Sequence, residues 1–202
     1  MRRVKILLVG ATGRLGTAVG EALTGRGHDV VTVGRSAGDV RADVADPEQT
    51  ARVFTQVGDL DAVACAAGDV PYERVVDMTS EDYLRAYRGK VAAQVELVRQ
   101  GTRRVAERGS FTLISGVLAQ EPIVTGSAAA MANGAVEAFV RAAAIEIAPQ
   151  RVNAVSPTVF AESMAEYGDS FPGIAPVGVD LVAAAYVRSI EGALTGQVFR
   201  VQ

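Results

Sequence analysis

The sequence predicts an α/β fold: one doubly wound sheet, mainly parallel, of about seven strands with helices on both faces. Three observations predict it. Short apolar runs of strand length alternate with longer amphipathic segments along the whole chain. A glycine-rich turn joins the first apolar run to the first helical segment. Apolar residues make up 49% of the 202 residues, which suits one sizeable buried core and argues against disorder.

Residues 4–9 read as the first strand, and 15–24 as a helix ending near Gly25. Residues 30–33 form the second strand, with a short strand around 40–44. Asp46 before Pro47 reads as an N-cap with proline at the first helical position, opening a helix to about Val57. Residues 62–66 read as the next strand. Residues 80–108 read as one long helix capped by Thr79 or Ser80, and 110–115 as a strand. An Ala-rich helix covers 128–148, closed by Pro149. Residues 151–155 form a strand, 180–190 a helix and 197–201 a last strand. The Gly- and Pro-rich connection 157–179 has the length of a lid over a site.

Bulk properties exclude several classes. Net charge is −3 with no basic stripe, so nucleic acid is not an expected partner. Arg2-Arg3 is too short for a polybasic signal, and the apolar start lacks a cleavage site. No run approaches the ~20 apolar residues of a membrane helix. The single cysteine, Cys65, excludes an internal disulfide and a Cys-based zinc site. The single histidine, His28, argues against a His-dependent triad or a metal cluster, so no metal is expected. The expectation is a soluble cytoplasmic protein with a small-molecule substrate. His28 reads as an exposed turn residue and Cys65 as a small buried strand residue.

The sharpest local signal is Gly10-Ala11-Thr12-Gly13-Arg14-Leu15-Gly16, set between a strand and a helix. Glycines allow a tight turn and close approach of backbone N–H groups to a pyrophosphate. The helix N-terminus adds partial positive charge where the anion sits. The chain therefore reads as one Rossmann-type dinucleotide-binding domain over 1–202. An NAD-preferring site would carry an acid at the end of the second strand. Here the run is Val33-Gly34-Arg35-Ser36, where Arg35 can pair with a 2′-phosphate and Ser36 can donate to it. NADP(H) is the expected cofactor; the alternative for Arg35 is a solvated surface arginine.

With these motifs in place, the chain resembles the short-chain dehydrogenase/reductase family along nearly its whole length. Asp43-Val44 resembles the pair that contacts adenine. Cys65-Ala66-Ala67-Gly68 resembles the Asn-Asn-Ala-Gly motif, and Leu113-Ile114-Ser115-Gly116 the strand that carries the catalytic serine. Residues 151–157 resemble the strand and turn beside the nicotinamide, which implies contacts from Pro157 and Val159. Residues 195–201 resemble the C-terminal strand.

The resemblance fails at the catalytic positions. The family uses Tyr-x-x-x-Lys, a serine and an asparagine, and no Tyr-x-x-x-Lys occurs here. The register set by residues 134–139 puts Asn133 at the lysine position and Ala129 at the tyrosine position. Gly116 falls at the serine position with Ser115 one residue earlier, and Lys90 falls near the asparagine position. Ser115, Lys90 and Asn133 are the candidate catalytic residues; the alternatives are a backbone-bonded strand-end hydroxyl and a surface lysine. Tyr72 can swing over the pocket or be an ordinary loop aromatic. Thr125 and Ser127 read as helix caps, and Met131 as packing.

Three functions stay open. The first is an NADP(H)-dependent oxidoreductase with a non-standard site, acting on a small carbonyl or enone. The second is an NADP(H)-binding sensor without turnover. The third is a non-redox isomerase or cyclase that reuses the pocket. The resemblance also implies a homodimer or homotetramer through the two long helices, with Ala142, Ala143 and Ala144 permitting close packing.

Overall fold

In the computed structural model, which describes residues 3–202, seven strands form one sheet in the order β3-β2-β1-β4-β5-β6-β7. Every pairing is parallel. The strands are β1 (Lys5–Val9), β2 (Asp29–Gly34), β3 (Val40–Arg41), β4 (Leu60–Cys65), β5 (Val105–Ile114), β6 (Arg151–Pro157) and β7 (Val198–Val201). The helices are α1 (Arg14–Gly25), α2 (Pro47–Val57), α3 (Ser80–Ala86), α4 (Ala93–Gly101), α5 (Ser127–Glu146), α6 (Met164–Tyr167) and α7 (Val179–Glu191). A π-helical turn, Tyr87–Ala92, joins α3 to α4.

The apolar strands follow from burial on both faces. Leu7 of β1 packs with Phe54, Leu97, Phe111 and Val136 under α2, α4 and α5. Its neighbours Ile6 and Leu8 pack the other way, with Leu15, Val19, Tyr186 and Ile190 of α1 and α7. The chain enters at β1, winds out to β3, then crosses back to β4 and out to β7. The direction reverses between β1 and β4, and their C-terminal ends bound the crevice where such sheets take ligands.

Several boundaries are the expected ones. Asp46 caps α2, accepting from the N–H groups of Glu48 and Gln49. Thr79 caps α3 in a reciprocal box with Asp82. The helix expected over 80–108 ends early, however. It stops at Gly101, which lies against the rings of Phe111 and Phe54, and β5 begins at Val105. Val105 pairs with Leu60, then the register jumps so that Ser110 pairs with Ala62. The intervening Ala106, Glu107 and Arg108 are exposed, so their helical composition reflects solvent contact alone.

Other expectations are corrected by packing. His28 is buried, with Nε2 2.9 Å from Glu191 Oε1, a carboxylate that also accepts from Arg26. The N-cap of α5 is Gly126 with no side-chain cap; Ser127 instead lies 3.0 Å from the Tyr83 hydroxyl. Thr125 holds a left-handed backbone at φ 71°. Met131 is exposed rather than packed. Ala143 and Ala144 face inward, leaving only Ala142 of that trio exposed. By length and composition α5 is apolar enough to cross a membrane, but half of it is buried here. The connection 157–179 carries α6 and two 3₁₀ turns rather than plain loop, and a bridge between Phe160 and Val177 closes it.

Gln94 of α4 ties the helix layer to the C-terminal end of β5. Its Oε1 accepts from the Ile114 N–H at 2.7 Å, and its Nε2 donates to the carbonyls of Ile114 and Lys90 at 3.0 Å each. An unsatisfied buried backbone group costs about 1–3 kcal/mol. Gln94→Leu is therefore expected to lower unfolding stability by at least about 2 kcal/mol, measured by denaturant titration.

Candidate functional site

A cavity of about 560 Å³ opens at the C-terminal ends of β1, β2 and β4. Gly10, Thr12 and Gly13 line it from the glycine loop, and Arg35 and Ser36 from the turn after β2. Asp43 and Val44 follow β3, and Ala66, Ala67 and Gly68 follow β4. Arg85 and Arg88 add a far wall that sequence reading missed, since surface arginines on a helix give no signal. Asp82 and Glu81 hold these two guanidinium groups at 3.4 and 2.8 Å.

The glycine loop is shaped by close backbone approach. Gly10 has φ +80°, and a Cβ there would lie 2.8 Å from that of Ala67. A Cβ on Gly16 would lie 2.0 Å from the Gly10 carbonyl oxygen. Gly13 is different: its added Cβ would meet protein only at 3.5 Å, and its φ is ordinary. The fold does not need glycine there, so the missing side chain leaves space in front of α1. Gly13 also gives no side-chain cap. The first-turn N–H groups, which lack intrahelical partners, are thus open to an anion.

Three loop residues expected to hold the cofactor do not line the cavity. Leu15 points into the core beneath α1, and Gly16 serves the close contact between helix and loop. Arg14 turns toward the 157–179 connection, where it donates to Ser163 Oγ and to Glu166 Oε1, the latter at 2.8 Å. The first acid after β2 is Asp39. Its carboxylate accepts from the Thr32 N–H at 2.9 Å and the Thr32 hydroxyl at 2.7 Å, which holds it below its usual pKa. Asp39 is used within its own turn, and Arg35 faces the cavity instead.

The expected catalytic residues gather beside this cavity, at the end of β5. Lys90 is not a surface lysine: its Nζ donates to the Ser115 carbonyl oxygen at 3.1 Å, and burial pushes the ammonium down to about 8. The Ser115 hydroxyl donates to Glu137 Oε1 at 2.9 Å, and Gln120 Nε2 donates to Glu137 Oε2 at 2.7 Å. Glu137 was not a sequence candidate. It sits one helical turn after Asn133 on α5, and that i, i+4 spacing was its only available signal. Asn133 is 3% exposed, and a Cβ on Gly116 would lie 2.9 Å from its Nδ2.

Three buried oxygens have no hydrogen-bond partner within the described residues: Asn133 Oδ1, Ser156 Oγ and Thr158 Oγ1. The last two flank Pro157 at the end of β6. Buried polar atoms are normally satisfied by protein, water or ligand, so this edge fits a polar group such as a nicotinamide riboside. Above it lies an apolar cap of Val117, Leu118, Ala129, Val159 and Phe171. Pro157 and Val159 therefore belong to the β6 edge and its cap, outside the cavity lining. Tyr72 packs on Tyr167, with ring centroids 6.5 Å apart, and burial pushes its hydroxyl up to about 12. Cys65 is buried as expected, its thiol pushed up to about 11 by desolvation.

A family model described as enoyl-(acyl carrier protein) reductase matches residues 14–181. Versicolorin reductase 1 of Aspergillus parasiticus is 31% identical over 76% of this chain and 68% of its own length. L-xylulose reductase of Homo sapiens is 24% identical over 96% and 87%. Among solved structures, the protein lin1944 from Listeria innocua has a TM-score of 0.96 at 40% identity, covering 98% of this chain and 99% of that one. A small-chain dehydrogenase in complex with NADPH has a TM-score of 0.89 at 26% identity, covering 100% and 97%.

The two glycines give opposite expectations. Gly16→Ala should destabilise the fold by about 1–3 kcal/mol through overpacking. Gly13→Ala should cost the free protein at most about 1 kcal/mol, as an N-cap glycine is replaced by alanine, but weaken NADPH binding by about tenfold or more, since a few lost contacts to an anion are worth that much. Thermal melts with and without NADPH check both.

Proposed function

The chain belongs to the short-chain dehydrogenase/reductase family, and from that premise we propose an NADP(H)-dependent oxidoreductase whose proton-donating end departs from the family's usual one. The family uses a nicotinamide cofactor. The observation that carries the NADP(H) reading is Arg35 with Ser36 at the rim of the cavity, while Asp39 is tied back to Thr32. The relative solved with NADPH supports the same choice.

In this reading the glycine loop and the first turn of α1 hold the diphosphate. Arg35 and Ser36 hold the 2′-phosphate. Asp43 and Val44 lie along the adenine, and Ala66, Ala67 and Gly68 support the adenosine half from below. The unpartnered oxygens of Asn133, Ser156 and Thr158 meet the nicotinamide riboside, beside Pro157 and Val159. The bound nicotinamide supplies a hydride to an electrophilic carbon. The protein's part is to orient the acceptor, keep water out and manage the proton. The apolar cap of Val117, Leu118, Val159 and Phe171 supports a small uncharged carbonyl or enone as that acceptor. The exposed Leu84, Tyr87 and Met131 on the outer helices support a homodimer or homotetramer.

A second reading, an NADP(H) sensor without turnover, has one observation in its favour. Ala129, at the family's tyrosine position, is sealed in the apolar cap and cannot transfer a proton. Oxidation of NADPH by any of a panel of carbonyl compounds would dismiss it.

The cofactor assignment is tested at Arg35. Charge-assisted hydrogen bonds are worth roughly 1.5–3 kcal/mol. Arg35→Ala should therefore weaken NADPH about ten- to hundredfold and leave NADH unchanged, read by fluorescence titration. Equal losses for the two nucleotides would reject a 2′-phosphate contact.

A further inference from the structure

We propose that Lys90 is the proton donor of this site, passing a proton from Nζ to the oxygen of a bound carbonyl. The proposal rests on the reductase reading above and names the group that replaces the missing tyrosine.

The placement of Lys90 is built by the fold. It lies in the π turn between α3 and α4, where the wider turn displaces one side chain from the regular helical positions. Gly89, the residue before it, comes so close to the preceding loop that a Cβ would lie 3.0 Å from the Asp69 carbonyl oxygen. The stem of Lys90 crosses Gly68, where an added Cβ would meet Cγ and Cδ at 3.1 Å. The ammonium then reaches the carbonyl of Ser115. It is thus suspended between the ends of β4 and β5, where Asn133 of α5 lies against the neighbouring Gly116. An ammonium has three donors. One is used on Ser115, which leaves two for a ligand.

The other proton-bearing groups nearby are committed or displaced. The Ser115 hydrogen goes to Glu137, so its oxygen can accept but has no proton to spare. The Cys65 thiol donates to the Ala67 carbonyl at 3.5 Å. The Tyr186 hydroxyl donates to the Cys65 carbonyl at 2.7 Å, and the Tyr83 hydroxyl pairs with Ser127 at 3.0 Å. Tyr72 is 41% exposed, its ring against Tyr167 at the surface rather than at the ends of β4 and β5. The titratable groups facing Lys90 are Cys65 from β4 and, beyond Ser115, Glu137 from α5. Desolvation brings the Lys90 ammonium to about 8, which makes it a competent acid near neutral pH.

The step balances simply. The carbonyl carbon gains a hydride whose C–H bond to the nicotinamide of NADPH breaks, leaving NADP⁺, and the C=O π pair moves to oxygen. That oxygen takes a proton from Nζ, forming O–H and breaking N–H. The neutral amine is then reprotonated from water. Carbonyl reduction needs charged Lys90, so its rate should fall as pH rises through about 8. Alcohol oxidation needs the neutral amine and should rise over the same range.

Lys90 can be followed directly by NMR titration of isotopically labelled lysine, with Lys90→Met assigning the resonance. A midpoint near 8 that drops further with NADP⁺ than with NADPH supports an amine beside the nicotinamide. An ordinary lysine midpoint, or one indifferent to cofactor oxidation state, overturns the proposal. Kinetically, Lys90→Met should slow single-turnover NADPH oxidation by phenanthrenequinone and related aromatic ketones about 10²–10⁴-fold, while NADPH affinity changes only a few-fold. Lys90→Arg keeps the charge but not the transferable proton, and should not restore the rate. If Lys90→Met retains the wild-type rate, Lys90 is not the donor and the reductase reading stands. If wild-type protein binds NADPH but reduces nothing in the panel, both fall together.

Discussion

The contact on which the rest depends is the backbone approach between α1 and the loop before it. Gly16 meets the Gly10 carbonyl, and Gly10 in turn meets Ala66 and Ala67 at the end of β4. No side chain could be inserted at either point without moving backbone. This packing brings the first helix down onto the crevice between β1 and β4. It fixes the positive end of α1 over the cavity, and with it the place where a diphosphate can sit. Arg35, Asp43 and Gly68 then fall around that point because the sheet order places β2, β3 and β4 on either side of β1.

The two ends of the site differ physically. The glycine-loop end is open, with glycine backbone on one wall and charged side chains on the other. The end beside β5 and β6 is covered, with unsatisfied oxygens and an apolar cap. An open end tolerates many surroundings where backbone amides can serve as donors. A covered end selects its ligand through every side chain that touches it.

Legibility in the sequence follows the same division. Strands buried on both faces, the Asp46-Pro47 cap and the glycine loop are local signals, and each was readable from a few adjacent residues. The early end of α4 was not, because exposed Ala106, Glu107 and Arg108 look helical until the pairing of Val105 with Leu60 is known. Burial of His28 depends on Glu191, far away in sequence. Glu137 carries no local signal, because its link to Ser115 spans two elements. Arg14 belonged to the loop motif, yet its side chain is claimed by Ser163 and Glu166. Contacts between distant elements carry the reactive end, and a motif cannot encode them alone.

The π turn has a consequence for how such a site can change. A regular helix repeats every 3.6 residues, so turning one side chain toward a new target normally rotates every residue after it. A single wide turn absorbs that rotation locally. Here α3 keeps its capped start at Thr79, and α4 keeps Leu97 and Val98 in the core. Only the few residues between them depart from the common register. The helix therefore works like a shaft with one keyed joint: its two ends stay seated in the scaffold while the joint aims a single amine.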